Sequence, residues 1–335
     1  MARSFSGIQP TGDIHLGNYL GTLRGWVQEQ EEHECLFCIV DLHALATPQG
    51  LADLGGHTLS TAAMLLALGI EPVRSILFVQ SQVPEHSELA WVLSCVTSFG
   101  ELRRMTQFKE KTVKGREGGT NAGLLFYPVL QAADVLLYQT DRVLVGEDQR
   151  QHLELARTLA SRFNHRFGSV FRVPDAITPG MGARIMDLQN PRSKMSKSSG
   201  SPLGIIRLAD TPDVIRQKVR SAVTDSGGEI LASADKPAIT NLLTIFAALN
   251  RTEAGCVADG FAGWSYEQFK TRLADVLIET LSPVRERYLQ WMNSPDELAQ
   301  HLERGGERAG SVASSTMRVV RKHLGLLQGR EPVKF

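Results

Sequence analysis

Short apolar runs alternate with longer helical stretches through the first half of the chain, and then the alternation stops. Ser4–Ile8, Cys35–Val40, Ser75–Val79 and Arg142–Val145 read as buried strands. Helices are predicted over 17–32, 51–68, 85–96 and 148–164, with another opening at Pro128, placed as a first helical residue. Strand–helix–strand units of this kind dictate a doubly wound parallel sheet with helices on both faces, because parallel neighbours need a crossover. The sheet is expected within residues 1–190, broken by a basic, glycine-bearing insertion near 101–123. Beyond a linker at 191–204 the pattern is helical only (212–223, 239–249, 266–292, 307–324), so 205–335 is expected to form a C-terminal helical domain. Its last helix is free to return to the first domain. Ligands of an open parallel sheet belong at the carboxyl ends of the strands.

Composition narrows the function classes. Of 335 residues, 42% are hydrophobic and 21% charged, and no run approaches the ~18 apolar residues of a membrane span. With no charged-then-apolar leader, the expected address is the cytoplasm, without membrane association. Lys+Arg 36 equals Asp+Glu 36, so global charge gives no pull toward nucleic acid. Locally, Arg103, Arg104, Lys109, Lys111, Lys114 and Arg116 face only Glu110, which suits a solvated face or a phosphate backbone. Cys35 and Cys38 form a CxxC inside a strand, where residues three apart point to opposite faces; no bound metal is expected.

Two common nucleotide fingerprints, GxGxxG and GxxxxGK[ST], are absent. Instead, Gln9, Thr11, His15, Gly17 and Asn18 gather where the first strand ends and its helix starts. His15 can donate a hydrogen bond, and Gly17 and Gly21 let backbone N–H groups approach a phosphate. Far downstream, Lys194-Met195-Ser196-Lys197-Ser198 offers two ammonium groups in a loop of small residues. Gly146, Glu147, Asp148 and Gln149 follow the fourth strand, with Asp148 placed to cap the next helix. In FYPVLQAADVLLY, Tyr127, Gln131 and Asp134 fall at spacings of four and three on one helical face, amid apolar neighbours. Such polar groups need partners, since burial without them costs roughly 1–3 kcal/mol each. Phe5, Val40, His43, Val143 and Val145 are candidates for apolar walls beside them.

PTGDIHLGNYLG and KMSKS, in this order, resemble the two signatures of the class I aminoacyl-tRNA synthetases. FSGIQPTG, FCIVDLHA, GELRRMTQFKEK, VGEDQRQHLELAR, GARIMDL and SAVTDS extend the likeness nearly end to end, toward the bacterial tryptophan branch. The resemblance implies a Rossmann-like fold, ATP with Mg²⁺, L-tryptophan and tRNA(Trp) as partners, a homodimer, and an anticodon-binding helical domain. It implies His15, Asn18, Lys194, Lys197 and Ser198 as catalytic groups. ATP would also meet Gln9, Pro10, Thr11, Gly17, Gly146, Glu147, Asp148, Ile185, Met195 and Ser196. Tryptophan would lie against Phe5, His43, Gln131 and Val143, its indole N–H accepted by Asp134 and its ammonium held by Tyr127 and Gln149. Gln131 has a counterpart in tyrosine enzymes, so a tyrosyl-tRNA synthetase remains the nearest rival. A small nucleotidylyltransferase ranks low, and a non-charging tryptophan-binding paralogue is the alternative outside enzymes.

Overall fold

The computed structural model describes residues 1–46, 53–106, 108, 121–144, 146, 149–177, 183–196 and 201–327. β1 (Arg3–Ile8) leads into α1 (Leu16–Asn18), a wide π-helical turn at Tyr19–Leu23, and α2 (Arg24–Glu32). β2 (Glu34–Ile39), α3 (Asp41–Ala44), α4 (Leu54–Leu68), β3 (Ile76–Val79), α5 (Glu85–Ser94) and α6 (Phe99–Arg103) follow. Then come α7 (Ala122–Leu136), β4 (Arg142–Leu144), α8 (Arg150–Phe167) and β5 (Asp175–Ile177). The remainder is α9 (Pro212–Ser221), α10 (Pro237–Asn250), α11 (Ala254–Asp259), α12 (Tyr266–Met292) and α13 (Pro295–Leu324).

All five strands pair in parallel, in the order β3-β2-β1-β4-β5. The winding therefore reverses beside β1, and the crevice of a doubly wound sheet opens above the ends of β1 and β4. Alternation across the pleat sorts the side chains. Cys35, Phe37 and Ile39 enter one apolar cluster, while Leu36, Cys38, Phe5 and Val143 enter the other. The two cysteines are free and sit on opposite faces, and burial pushes the Cys35 thiol up to about 12. β5, absent from the sequence expectation, is only three residues long.

Three local expectations are corrected. α7 is capped by Asn121, whose side chain accepts the Leu124 N–H at 2.9 Å, so Pro128 and Tyr127 lie inside the helix, not at its start. Packing of α7 against α5 and α8 overrides the roughly 3 kcal/mol that an interior proline costs an isolated helix. α8 begins at Arg150 with Gln149 as its cap residue, whereas the expected cap, Asp148, lies outside the described residues. α13 begins at Pro295, not near 307, and runs through Gly305-Gly306.

That glycine pair explains where the last helix goes. A Cβ at Gly305 would stand 1.8 Å from the Leu77 carbonyl oxygen, so only glycine lets the helix lie directly on edge strand β3. Ala309 and Ala313 continue the buried seam, which covers the sheet edge. Arg308 donates to the Pro72 and Ser75 carbonyls, and Arg321 pairs with Glu88. The other cluster runs without a break from Phe37 and Ile39 to Ile206, Ile215, Leu242 and Leu277, so residue 205 marks no gap in packing.

Candidate active site

At the end of β1 the chain turns through Gly12, whose φ of 93° only glycine adopts readily, before entering α1. Gln9 is exposed and its carbonyl accepts the Thr11 N–H at 2.9 Å, while Pro10 is buried. His15 caps α1 reciprocally. Its N–H donates to Asn18 Oδ1 at 3.2 Å, and Nδ1 accepts the Asn18 N–H at 3.3 Å. With Nδ1 used as acceptor, the neutral ring carries its proton on Nε2, which makes that atom a donor. Leu16 N–H donates to the Ile206 carbonyl and Leu208 N–H to that of Ile14, setting His15 opposite Arg207.

The downstream loop arrives as one arm of a small hairpin. Met195 N–H donates to the Ile185 carbonyl at 3.0 Å, Asp187 N–H donates to that of Ser193, and Met186 bridges to Lys194. Met195 is buried and Lys194 exposed. A Cβ placed on Gly17 would meet His15 Nδ1 at 3.1 Å and Met195 Cβ at 3.5 Å. The two signature segments therefore touch. Gly21, by contrast, has only the Ala183 carbonyl at 3.8 Å from such a Cβ, so its site would hold a methyl group. Lys197, Ser198, Val145, Glu147 and Asp148 lie outside the described residues; Ser196 is half-buried and Gly146 exposed.

On the opposite side of the crevice, Tyr127, Gln131 and Asp134 share the inner face of α7. The Asp134 carboxylate is buried and held by three donors. Oδ1 accepts Gln80 Nε2 at 2.6 Å and His86 Nδ1 at 2.6 Å, and Oδ2 accepts His43 Nε2 at 2.8 Å. Burial alone would raise the Asp134 carboxyl, but His43 and His86 outweigh it and hold the group at about 2. The Tyr127 hydroxyl meets His152 Nε2 at 2.7 Å, and His152 Nδ1 meets Gln149 Oε1 at 2.9 Å, to which Gln131 Nε2 also donates at 3.3 Å. Tyr127 and Gln149 are thus joined through a histidine that the sequence expectation omitted. Phe5, Val40 and Val143 are buried close by, and Gly7, on the same face of β1 as Phe5, is exposed and leaves room above the strand. A Cβ there would lie 3.1 Å from Val40 Cγ1.

Gln80, His86, Tyr138, His152 and Gly7 were not among the expected site residues. His86 did carry a signal: it falls on the same stripe of α5 as buried Leu89 and Leu93, a polar group at a core position. Gln80 carried none, because it belongs to a short turn after β3. Elsewhere, a cleft of about 480 Å³ between α9 and α12 is lined by Arg216, Arg220 and Lys270 against Asp213, Glu267 and Asp275. It shares no lining residue with either end of the site.

Residues 1–282 match the family model for class I tRNA synthetases of tryptophan and tyrosine. The chain belongs to that family. It is 48% identical over 330 residues to tryptophan–tRNA ligase 2 of Streptomyces avermitilis, covering 98% of each chain. Among solved structures, tryptophanyl-tRNA synthetase of Mycoplasma pneumoniae superposes with a TM-score of 0.87 at 35% identity, over 100% of both chains. The Campylobacter jejuni enzyme, solved with ADP and tryptophan, gives 0.83 at 33% identity, over 97% of this chain and 100% of that one. These likenesses agree with the Rossmann-like parallel sheet of this synthetase. No described helix is long and apolar enough to cross a membrane.

Proposed function

We infer that this synthetase ligates L-tryptophan to tRNA(Trp) in two steps. The approach of Met195 to Gly17, the residue that also packs on His15, carries the reading, because it brings the segment bearing Lys194 to the His15–Asn18 cap. Near-full-length identity to a tryptophan–tRNA ligase favours this activity over the tyrosine reaction and over a non-charging protein.

In the first step a tryptophan carboxylate oxygen attacks the α-phosphorus of ATP. The bond from that phosphorus to the β-bridging oxygen breaks, giving tryptophanyl-adenylate and pyrophosphate. The attacking carboxylate is already ionised at pH 7, so no general base is needed. Rate then comes from alignment and from donors aimed at the phosphates, a role suited to His15 Nε2, Asn18, Lys194, Lys197 and Ser198. Gln9, Pro10, Thr11, Gly17, Met195 and Ser196 frame the phosphates, while Gly146, Glu147, Asp148 and Ile185 flank the adenosine. Mg²⁺ accompanies the phosphates as part of the nucleotide substrate. In the second step a hydroxyl of the terminal adenosine, at the 2′ position, attacks the acyl carbon and AMP leaves.

At the other end, Asp134 Oδ2 accepts the indole N–H among Phe5, His43, Gln131 and Val143, and Tyr127 with Gln149 faces the ammonium group. The helical part after 205 meets the anticodon, and the basic residues from Arg103 onward meet the acceptor end. A second copy covers the face bearing Trp91, Phe99 and Phe126, which are 73%, 63% and 44% exposed on α5, α6 and α7. The cytoplasm is the working compartment. Pyrophosphate exchange into ATP is the test: it should depend on tryptophan and not on tyrosine, and exchange driven by tyrosine would overturn the assignment.

A further inference from the structure

Asp134 is read as the indole acceptor, yet three donors already hold its carboxylate, and two of them lie outside every role assigned so far. Gln80 and His86 both donate to Oδ1, from the turn after β3 and from α5. Two donors fill the lone pairs of Oδ1, whereas Oδ2 takes only His43 among the described residues. His86 is itself fixed from behind: Nε2 lies 2.7 Å from the Tyr138 hydroxyl. Asp134 is ionised and can only accept, so the proton between it and His86 belongs to the imidazole. The His86 proton then sits on Nδ1, pointed at Asp134. Gln80, His86, Asp134 and Tyr138 are all buried, so this orientation is not averaged by water.

We propose that Gln80 and His86 are positioning residues for tryptophan selection: by saturating Oδ1 they leave Oδ2 as the acceptor turned toward the pocket, and thereby set the preference for rings that carry an N–H. The proposal rests on the reading of Asp134 as the indole acceptor. A protonated carboxyl would offer the pocket a hydroxyl donor instead, and a swivelled carboxylate would withdraw the acceptor; either would admit rings lacking the N–H.

The test compares equilibrium binding of tryptophan and of its benzothiophene analogue, in which sulfur replaces the ring N–H, to full-length protein. Wild type should prefer tryptophan. His86→Leu should lower tryptophan affinity about tenfold, the scale of one hydrogen bond to a charged group, and leave the analogue within about twofold. His86→Asn, whose amide reaches the place of Nδ1, should restore most of the preference. Parallel losses of both ligands in His86→Leu would overturn the proposal, since a merely structural role moves both alike. A wild type that binds the two ligands equally would instead sink the Asp134 reading itself. Should His86→Leu fail to fold, Tyr138→Phe and Gln80→Leu carry the test: each should narrow the preference about threefold, a share of one charged hydrogen bond, and an unchanged ratio in both overturns the proposal.

Discussion

The two ends of the active site are built on opposite plans. The end proposed for the amino acid is a closed network: Asp134 is buried and held by His43, His86 and Gln80, and Tyr127 is tied to His152 and Gln149. The end proposed for the phosphates is open. Its backbone is stitched by Leu16–Ile206 and Met195–Ile185 hydrogen bonds, while exposed Lys194 reaches solvent. The difference teaches where each energy is spent. Selecting a ring requires a desolvated acceptor fixed in advance, because a loose carboxylate would bind water as readily as an indole. Stabilising a triphosphate requires charge that tracks the phosphates as bonds shift, so long side chains on a solvent-facing loop serve better.

Breaking the phosphate end should cost the most rate. Lys197→Ala is expected to lower tryptophan-dependent pyrophosphate exchange by ~10²–10³ with little change in tryptophan affinity. Exchange at the wild-type rate would remove the lysine from the reaction. Breaking the amino-acid end should show the converse pattern. Asp134→Ala deletes the acceptor and leaves His43 and His86 without their anion, so tryptophan dissociation should rise on the order of 10–100-fold. ATP affinity measured without tryptophan should hold, and a matching loss there would mean that the two ends are not separable.

The smallest effect sharpens the contrast through pH. The Asp134 carboxyl is held at about 2 in the fold, against roughly 3.9 in an unfolded chain. Between those values the unfolded state binds more protons, so the contribution of this carboxylate is fully present above about pH 4 and is lost as pH falls toward 2. Asp134→Asn should therefore show a shallower fall in melting temperature across that acid range than wild type. Parallel melting curves would place the acid sensitivity elsewhere.

Much of this was legible in the order of residues. Strand-like runs and their helices gave the parallel sheet, and the period of two put Cys35 and Cys38 on opposite faces, where they lie. Helical periodicity put Tyr127, Gln131 and Asp134 on one face even though the start of their helix was misplaced at Pro128. The last helix was read from 307, whereas it runs from Pro295 through Gly305-Gly306, where the glycines admit the Leu77 backbone.

By itself, then, the sequence determined the layered architecture and which polar residues share a turn or a helix face, since both follow from local periodicity and from residue types a few positions apart. Only the tertiary structure decided which groups hold Asp134, that Met195 lies against Gly17, and that α13 closes the sheet edge. Those facts depend on which distant segments meet, and a hydrogen bond or a packing contact between remote residues leaves no periodic trace in either segment alone.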